Sequence, residues 1–297
     1  MSRPVIAIAG PTASGKTGLA LDVAKAVDGE IVNADALQVY AGIPVLSAQP
    51  TTAERGAVPH HLFGSVAPDA PWSVGKWLRA VDTLIIDILA RGKTPILVGG
   101  TGLYFKALLE GLADIPPVPG DLASALDALP VEDLREQADA LDPVASARVL
   151  GDDPQRLARI VGVALGTDRT LSAWRENTRP VVPARYVTRA VLLPDRAQLY
   201  ARINARFDAM LSAGALEEAK AVAALDLPER APMPKAIGLS HLLAHLRGER
   251  SLEEAVRTAK RDTRRLAKRQ MTWFRNQCAD WDVLSSAEEI DAWITRL

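Results

Sequence analysis

Apolar runs and helical spacings alternate along the first third of the chain. The run Val5–Ala9 is wholly apolar and leads into a glycine-rich loop, which is typical of a buried parallel strand. Apolar residues recur every three or four positions over 16–27 and 74–91, which predicts two helices. Shorter apolar runs predict strands at 30–34 and 95–98. This alternation indicates right-handed crossovers and a parallel sheet.

A proline-rich stretch at 115–120 marks a change in the pattern and a candidate domain boundary. Beyond it come short helical patterns at 121–129, 131–141, 143–149 and 154–166. A strand is predicted again at 186–193. The remaining predicted elements are, in order, helices over 195–224, 235–247 and 251–276 and a short strand at 281–284. We therefore predict an α/β core made of 1–115 and 186–297, interrupted by a helical insertion domain at 116–185.

The composition is that of a globular protein from a reducing compartment. Apolar residues make up 48% of the 297 positions and charged residues 24%, a balance that argues against disorder. Cys278 is the only cysteine, so an internal disulfide is excluded. The pattern predicts neither a secretory signal nor a membrane span. We expect a cytoplasmic protein with no membrane partner.

Positive charge is concentrated in the second half of the chain, although the net charge is only −1. Residues 1–150 carry 11 Lys and Arg against 17 Asp and Glu, a net of −6, whereas residues 151–297 carry 24 against 19, a net of +5. Two windows, 155–206 and 257–275, hold most of the excess. Such clustering is typical of a polyanion-binding face, and a solvated helix face is the alternative.

Residues 10–17, with the sequence GPTASGKT, match the phosphate-binding pattern GxxxxGK[ST]. The glycines let successive N–H groups converge on phosphate oxygens, and the helix that starts there points its positive end at the anion. Lys16 adds a mobile charge, and the Thr17 hydroxyl can hold Mg²⁺. The predicted fold class is therefore a P-loop NTPase-like parallel sheet with a helical insertion. The candidate phosphate-binding residues are Gly10, Pro11, Thr12, Ala13, Ser14, Gly15, Lys16 and Thr17.

The acid nearest this loop is Asp35, at the end of the second predicted strand, where ligands bind in open α/β sheets. Its carboxylate can accept a proton from a nucleophile that attacks near the phosphates, and a turn or N-cap role is the alternative. An ordinary NTPase has a Walker-B acid after an apolar strand, but 95–98 ends in Gly-Gly-Thr and Asp87 falls on helix 74–91. Two reaction classes stay open: phosphoryl transfer, and group transfer with diphosphate as the leaving group.

Motifs from residue 10 to residue 275 resemble, in order, those of tRNA dimethylallyltransferases. Each motif is short, but their joint order is specific. The segments that carry the resemblance are 10–17 (GPTASGKT), 32–40 (VNADALQVY), 58–62 (VPHHL), 97–104 (LVGGTGLY), 152–159 (DDPQRLAR), 202–206 (RINAR), 236–238 (AIG) and 267–275 (AKRQMTWFR).

The resemblance implies transfer of a dimethylallyl group from dimethylallyl diphosphate to N6 of the adenosine 3′-adjacent to the anticodon in tRNA, with Mg²⁺ as cofactor. The phosphate loop and Lys16 would hold the diphosphate. Asp35 would take the N6 proton, and Thr101 would lie near the reacting centre. Arg206, with Arg202 as its rival one turn earlier, would neutralise the departing diphosphate.

The same resemblance implies contacts with the anticodon stem-loop. Segment 35–38 would meet a flipped adenine, whose edge the amide of Gln38 can pair with. The C-terminal basic helix either faces RNA or pairs with the acidic core. The protein is expected to act as a monomer. The implied tRNA-binding residues are Asp35, Ala36, Leu37, Gln38, Thr101, Gln155, Arg156, Leu157, Ala158, Arg159, Lys235, Lys268 and Arg269.

The chain departs from the family pattern at several positions, so fewer polar contacts are expected around the substrate channel. The departures are Ala36, Ala41, Gly162 and Leu239, where Ser, a basic residue, Glu and Tyr are usual, and the stretch 46–50 (LSAQP), where Gly-Thr-Ala-Lys-Pro is usual. The residues alone leave two other functions open. One is a small-molecule or nucleoside kinase that uses Asp35 as general base, and the other is a non-catalytic RNA-binding P-loop protein.

Overall fold

The computed structural model describes residues 4–176, 178–228 and 231–297. The chain divides into two compact units, one of Met1–Lys106 with Val182–Leu297 and one of Ala107–Val181. The strands are β1 Val5–Ala9, β2 Gly29–Asn33, β3 His60–His61, β4 Thr94–Gly99, β5 Val187–Leu192 and β6 Asp282–Leu284. The α-helices are α1 Lys16–Val27, α2 Thr52–Ala57, α3 Val74–Ala90, α4 Gly102–Glu110, α5 Gly120–Asp127, α6 Val131–Leu141, α7 Pro143–Ser146, α8 Pro154–Gly166, α9 Leu171–Arg175, α10 Arg196–Ser212, α11 Ala215–Ala223, α12 Leu239–Leu246, α13 Leu252–Gln277 and α14 Ala287–Thr295.

The larger unit is built on a six-stranded sheet in which every strand pairing is parallel. The strand order is β3-β2-β4-β1-β5-β6, which places β1 between β4 and β5. β1, β2 and β4 are buried along their whole length, as expected for strands covered on both faces. The carboxyl ends of these three strands therefore meet at one edge of the sheet. The predicted α/β fold class is confirmed.

The helix after the phosphate loop is anchored to the sheet by one apolar stripe. Leu19 and Val23 of α1 are buried against Ile6 and Ile96 of the central strands. Residues four apart share one face of a helix, so this spacing turns the whole stripe inward. The loop that joins β1 to α1 is thereby held between two elements of a rigid core.

The smaller unit has an apolar core of its own, supplied by α5, α6, α7, α8 and α9. Leu157 and Val161 of α8 are both 0% exposed in this core. Asp153 caps α8 by accepting a hydrogen bond from the N–H of Arg156, which satisfies one of the free donors of the first turn. The unit therefore combines apolar burial with locally capped helices.

The limits of the smaller unit differ from the predicted insertion at 116–185. The N–H of Val181 donates to the carbonyl of Leu108 at 3.0 Å and so joins the two ends of the unit. Leu108 lies before residue 116, where the insertion was predicted to begin. Gly111, at φ +91°, allows the backbone of Arg179 to approach so closely that a Cβ there would lie 2.4 Å from the Arg179 carbonyl oxygen. This pairing of distant segments has no periodic signal in the sequence.

The region predicted as one helix over 195–224 is two helices, because Gly214 between α10 and α11 adopts a left-handed φ of +100°. Helices α2, α4, α9 and α14 and the short strand β3 were not predicted. α4 follows directly on Gly-Gly-Thr, whose glycines are typical of a loop and hide the start of a helix. Over the described ranges, no helix is both long and apolar enough to span a membrane.

Candidate active site

The phosphate loop forms one wall of a cleft of about 440 Å³ in the larger unit. Gly15 adopts a left-handed φ of +98° directly before α1, which lets the chain turn sharply into the helix. The N–H of Ser14 closes a turn with the carbonyl of Pro11 at 3.2 Å. The first N–H groups of α1 have no partner within the helix, so they are available to an anion at this point. The cleft is lined by Thr12, Ala13, Ser14, Gly15, Lys16, Thr17, Asp35, Gln38, Ser47, Ala48, Arg202, Ala205 and Arg206.

Lys16 lies at the centre of the charged groups in this cleft. The pKa of its ammonium is lowered to about 8, chiefly by burial; the carboxylate of Asp35 opposes this shift, and nearby Arg206 contributes to it. Its Nζ donates to the carbonyl of Pro11 at 3.2 Å. A bound diphosphate would supply the negative charge that keeps Lys16 protonated.

Asp35 lies on the same cleft as Lys16, at the carboxyl end of β2. Its Oδ1 accepts a hydrogen bond from the N–H of Leu37 at 3.0 Å, so the aspartate also closes a turn. Asn33 holds this turn from below, with Oδ1 accepting from the N–H of Asp35 and Nδ2 donating to its carbonyl. The indole N–H of Trp77 donates to the Asn33 carbonyl at 2.7 Å. One geometry therefore allows Asp35 both to close the turn and to accept a proton.

Thr101, directly after β4, is hydrogen-bonded to the two residues that flank Asp35. The N–H of Thr101 donates to the carbonyl of Ala34 at 3.2 Å, and its Oγ1 accepts from the N–H of Ala36 at 3.0 Å. This contact requires Gly99, since a Cβ at that position would lie 2.0 Å from the Ala34 carbonyl oxygen. The hydroxyl proton of Thr101 is not used in these bonds and can be donated to another acceptor.

Two arginines of α10 line the opposite wall of the cleft. Arg206 donates to Oγ1 of Thr12, and burial lowers the pKa of its guanidinium while Asp35 opposes that shift. Arg202, one turn earlier, is exposed and its nearest bond in the loop is to the Ser14 carbonyl at 3.5 Å. The geometry thus brings both rival arginines to the cleft and places Arg206 deeper.

Gln38 lies on the cleft, with part of its amide already used. Its Nε2 donates to the carbonyls of Ser47 and Ala48 at 3.0 and 2.8 Å. The amide oxygen is the group that remains to accept a hydrogen bond from a ligand. Ser47, Ala48 and Ala205 line the cleft, although none of them was predicted as a site residue. They lie within the segments 46–50 and 202–206 compared with the family, but their small side chains carry no chemical signal of their own.

The segment of α8 predicted to contact RNA divides into two faces in the smaller unit. Gln155, Arg156 and Arg159 are exposed, and the repulsion of Arg175 adds to burial in lowering the pKa of Arg159. Leu157 is 0% exposed in the core, so a contact of this residue with RNA would have to come from its backbone. Ala158 is partly buried at the edge of the same core. The motif DDPQRLAR therefore mixes surface and packing positions.

The basic helix α13 also has two parts, one with paired charges and one with exposed charges. Its first half is partly neutralised, since Lys260 pairs with Asp208, and Arg261 and Arg265 pair with Asp262. Lys268 and Arg269, further along, are exposed and line a surface depression with Trp273. Lys235 is also exposed, at the end of a short 3₁₀ turn.

Two of the departures from the family pattern are packing positions. Leu239 is 0% exposed in an apolar cluster. A Cβ at Gly162 would lie 3.1 Å from Leu126 and 3.2 Å from Val118 inside the smaller unit. Both positions therefore lie in apolar packing, and the expectation of fewer polar contacts around the substrate channel stays a prediction. Asp87 lies on α3 and pairs with Arg91, as its predicted helical position requires.

Two family models match the chain. The one described as IPP transferase matches residues 38–277, and the one described as Isopentenyl transferase matches residues 3–58. A protein of Maricaulis maris (strain MCS10) is 52% identical over 290 residues, covering 96% of this chain and 94% of its own length. A protein of Caulobacter sp. (strain K31) is 51% identical over 282 residues, covering 94% and 91%. Both relatives are named tRNA dimethylallyltransferase.

Comparison with solved structures supports the same family. The tRNA isopentenylpyrophosphate transferase of Bacillus halodurans is 31% identical with a TM-score of 0.73, and the match covers 100% of this chain and 95% of that one. A eukaryotic dimethylallyltransferase acting on tRNA is 25% identical with a TM-score of 0.85, covering 99% and 77%. None of these relatives favours the kinase or the non-catalytic alternative. The resemblance inferred from the motifs is confirmed, and this chain belongs to the IPP transferase family of tRNA dimethylallyltransferases.

Proposed function

We propose that this protein transfers the dimethylallyl group of dimethylallyl diphosphate to N6 of the adenosine 3′-adjacent to the anticodon of tRNA, releasing diphosphate. The observation that carries the proposal is the placement of Asp35 and Lys16 on one cleft. A phosphate cradle with an acid beside it suits a reaction in which diphosphate leaves while a nucleophile loses a proton.

The reaction is a substitution at the allylic carbon. The bond from that carbon to the bridging diphosphate oxygen breaks, its electron pair stays with the diphosphate, and the adenine N6 lone pair forms the new C–N bond. Asp35 accepts the proton that N6 loses. Lys16 and Arg206 hold the developing negative charge, and the Thr101 hydroxyl can donate to an oxygen close to the reacting atoms. Because the allylic cation is delocalised, positioning and exclusion of water are the main tasks of the protein.

Mg²⁺ fits the donor set of the phosphate loop. Within the ranges that the structure describes, no group of three or more His, Cys, Asp or Glu side chains is arranged to hold a metal ion. Mg²⁺ bound beside phosphates needs only one or two protein oxygens, since phosphate and water oxygens supply the rest. Thr17, in the first turn of α1 and on the cleft, would hold it. A bound Mg²⁺ supplies further neutralisation of the diphosphate.

Each unit offers its own contacts to tRNA under this proposal. In the smaller unit, Gln155, Arg156 and Arg159 would bind the anticodon arm, and phosphates would relieve the repulsion between Arg159 and Arg175. In the larger unit, Lys235, Lys268 and Arg269 would bind phosphates, while 35–38 would hold the flipped adenine. The amide oxygen of Gln38 would accept a hydrogen bond from the adenine edge. These roles are supported by exposure and charge.

The test is incubation of the protein with labelled dimethylallyl diphosphate, Mg²⁺ and unmodified tRNA. We expect label at the adenosine 3′ of the anticodon, located by nuclease digestion and mass spectrometry, with one diphosphate released per label. A tRNA with guanosine at that position is the matched control and should stay unlabelled. Diphosphate binding without any labelling of the RNA would refute the proposal, and consumption of ATP that depends on a small hydroxyl compound would favour a kinase instead.

A further inference from the structure

One side chain of α13 joins the phosphate loop to the backbone that follows β4. Oε1 of Gln270 accepts a hydrogen bond from the N–H of Thr12 at 2.9 Å. Nε2 of the same amide donates to the carbonyl of Gly100, also at 2.9 Å. Gln270 is separated from Thr12 by 258 positions and from Gly100 by 170. A single planar amide therefore bridges two loops that carry different parts of the cleft.

The packing of α13 on α10 fixes the direction of this amide. Ala267 and Met271 of α13 are buried against Leu199 and Ile203 of α10, and Ala13 of the phosphate loop packs against the same cluster. Ala267 and Met271 are four residues apart and therefore share one helix face. Burial of that face sets the rotation of the helix about its axis, which brings Gln270 alongside the loop.

Residue 100 must be a glycine for the bridge to form. A Cβ there would lie 2.6 Å from Nε2 of Gln270 and 3.3 Å from the Gly10 carbonyl oxygen. The same point is 3.4 Å from Oδ2 of Asp35. The amide therefore lies within a few ångströms of the proposed base. It occupies space that is free only because residue 100 has no side chain.

Both ends of the bridge continue to residues of the proposed reaction. On one side, Oγ1 of Thr12 accepts from Arg206. On the other, Thr101 follows Gly100 and binds the N–H of Ala36, next to Asp35. We propose that Gln270 is a positioning residue, which sets the separation between the phosphate cradle and the wall that carries Asp35 and Thr101. This inference rests on the proposed function, because it assigns the amide a part in the same reaction.

Glutamine suits this role because the bridge needs an acceptor and a donor on one side chain. Gln270→Glu keeps an acceptor for the Thr12 N–H but cannot donate to the Gly100 carbonyl. Gln270→Leu removes both bonds at similar volume. Since a misplacement of about 1 Å can cost 10²-fold in rate, loss of the bridge is expected to act on kcat.

The experiment compares these two variants with Gln277→Leu and Gln277→Glu, matched changes at an exposed glutamine in the last turn of α13. Steady-state transfer is measured at saturating tRNA and donor, together with melting temperature and the tRNA Kd. We expect kcat to fall by about 10- to 100-fold in both Gln270 variants, with tRNA affinity unchanged. The charge added by Gln270→Glu also acts on the donor and on nearby Asp35, so Gln270→Leu, which adds no charge, reports the loss of the two bonds by itself. The Gln277 variants should match the wild type.

A second measurement is calorimetric binding of inorganic diphosphate with Mg²⁺. Gln270→Leu is expected to weaken this binding by about tenfold, because Thr12 and its bond to Arg206 are loosened. Wild-type kcat in both Gln270 variants would overturn the inference. A fall in kcat that only matches the fraction of unfolded protein would overturn it as well. Unchanged diphosphate affinity of Gln270→Leu would overturn it too. A wild-type protein that fails to label tRNA would refute the proposed function, whereas the calorimetry would still decide the role of the amide.

Discussion

The cleft of the larger unit and the helical unit of 107–181 are stabilised in different ways. In the cleft, hydrogen bonds join segments that are distant in sequence, as Thr12 is held by Gln270 and Ala36 by Thr101. The helical unit is held by an apolar core and by local caps on α7, α8 and α9, and its proposed RNA contacts are exposed. Under the proposed function, the difference teaches that the cleft depends on atomic position, whereas the helical surface depends on charge.

The largest effect is expected from Asp35→Asn. The amide oxygen can still accept from the N–H of Leu37, so the turn is kept while the proton acceptor is lost. Transfer should fall by about 10²- to 10⁴-fold, the usual contribution of a positioned base. The measurement is kcat with labelled donor, and the control is diphosphate affinity, which should change little. A wild-type rate in the Asp35→Asn enzyme would remove the base from the mechanism.

Next in size is the effect of Leu157→Ala on the stability of the helical unit. Removing a side chain that is 0% exposed in the core should lower the free energy of unfolding by about 2–5 kcal/mol. Leu165→Ala, on the same helix at 54% exposure, is the matched control and should change it by less than about 1 kcal/mol. Both are measured by denaturant unfolding. Equal effects of the two substitutions would contradict the division of α8 into a core face and a surface face.

A smaller effect is expected from pH, through Lys16. Its pKa is lowered to about 8, so below pH 8 the ammonium is mostly charged and above pH 8 mostly neutral. Diphosphate binds the charged form, so affinity should fall as pH rises above 8, by at most about tenfold per pH unit. Calorimetry on the wild type and on Lys16→Arg, whose guanidinium stays charged, separates this from titration of the ligand. The affinity of the wild type divided by that of Lys16→Arg should fall above pH 8. A constant ratio would contradict the lowered pKa of Lys16.

The smallest effects are expected on the surface of the helical unit. Arg156→Gln and Arg159→Gln should each weaken tRNA binding by several-fold and lower the salt dependence of log Kd by about one unit of slope. The KM for dimethylallyl diphosphate should not change. Arg156→Lys, which keeps the charge, is the control and should bind tRNA nearly as the wild type does. Equal losses in the Lys and Gln variants would show that geometry rather than charge decides binding here.

Local patterns predicted many elements of the sheet and its helices well. β1 and α1 have the predicted bounds, because a wholly apolar run, a glycine loop and a helical stripe follow one another without interruption. The helix over 195–224 was predicted as one because Gly214 is only one break in a long periodic pattern. The burial of Leu157 was not predicted, because a motif shows which residues occur together and not which of them face inward.

By itself, the sequence determined the phosphate loop, the parallel sheet, the acid after β2 and the family, because each of these depends on short segments whose spacing is local. Only the tertiary structure decided that Asp35 lies on the cleft of Lys16, that Arg206 lies deeper than Arg202 and that Gln270 bridges two loops. These facts depend on how helices pack against strands far away in the chain. The direction of a hydrogen bond across such a distance is set by that packing and leaves no periodic trace in the order of residues.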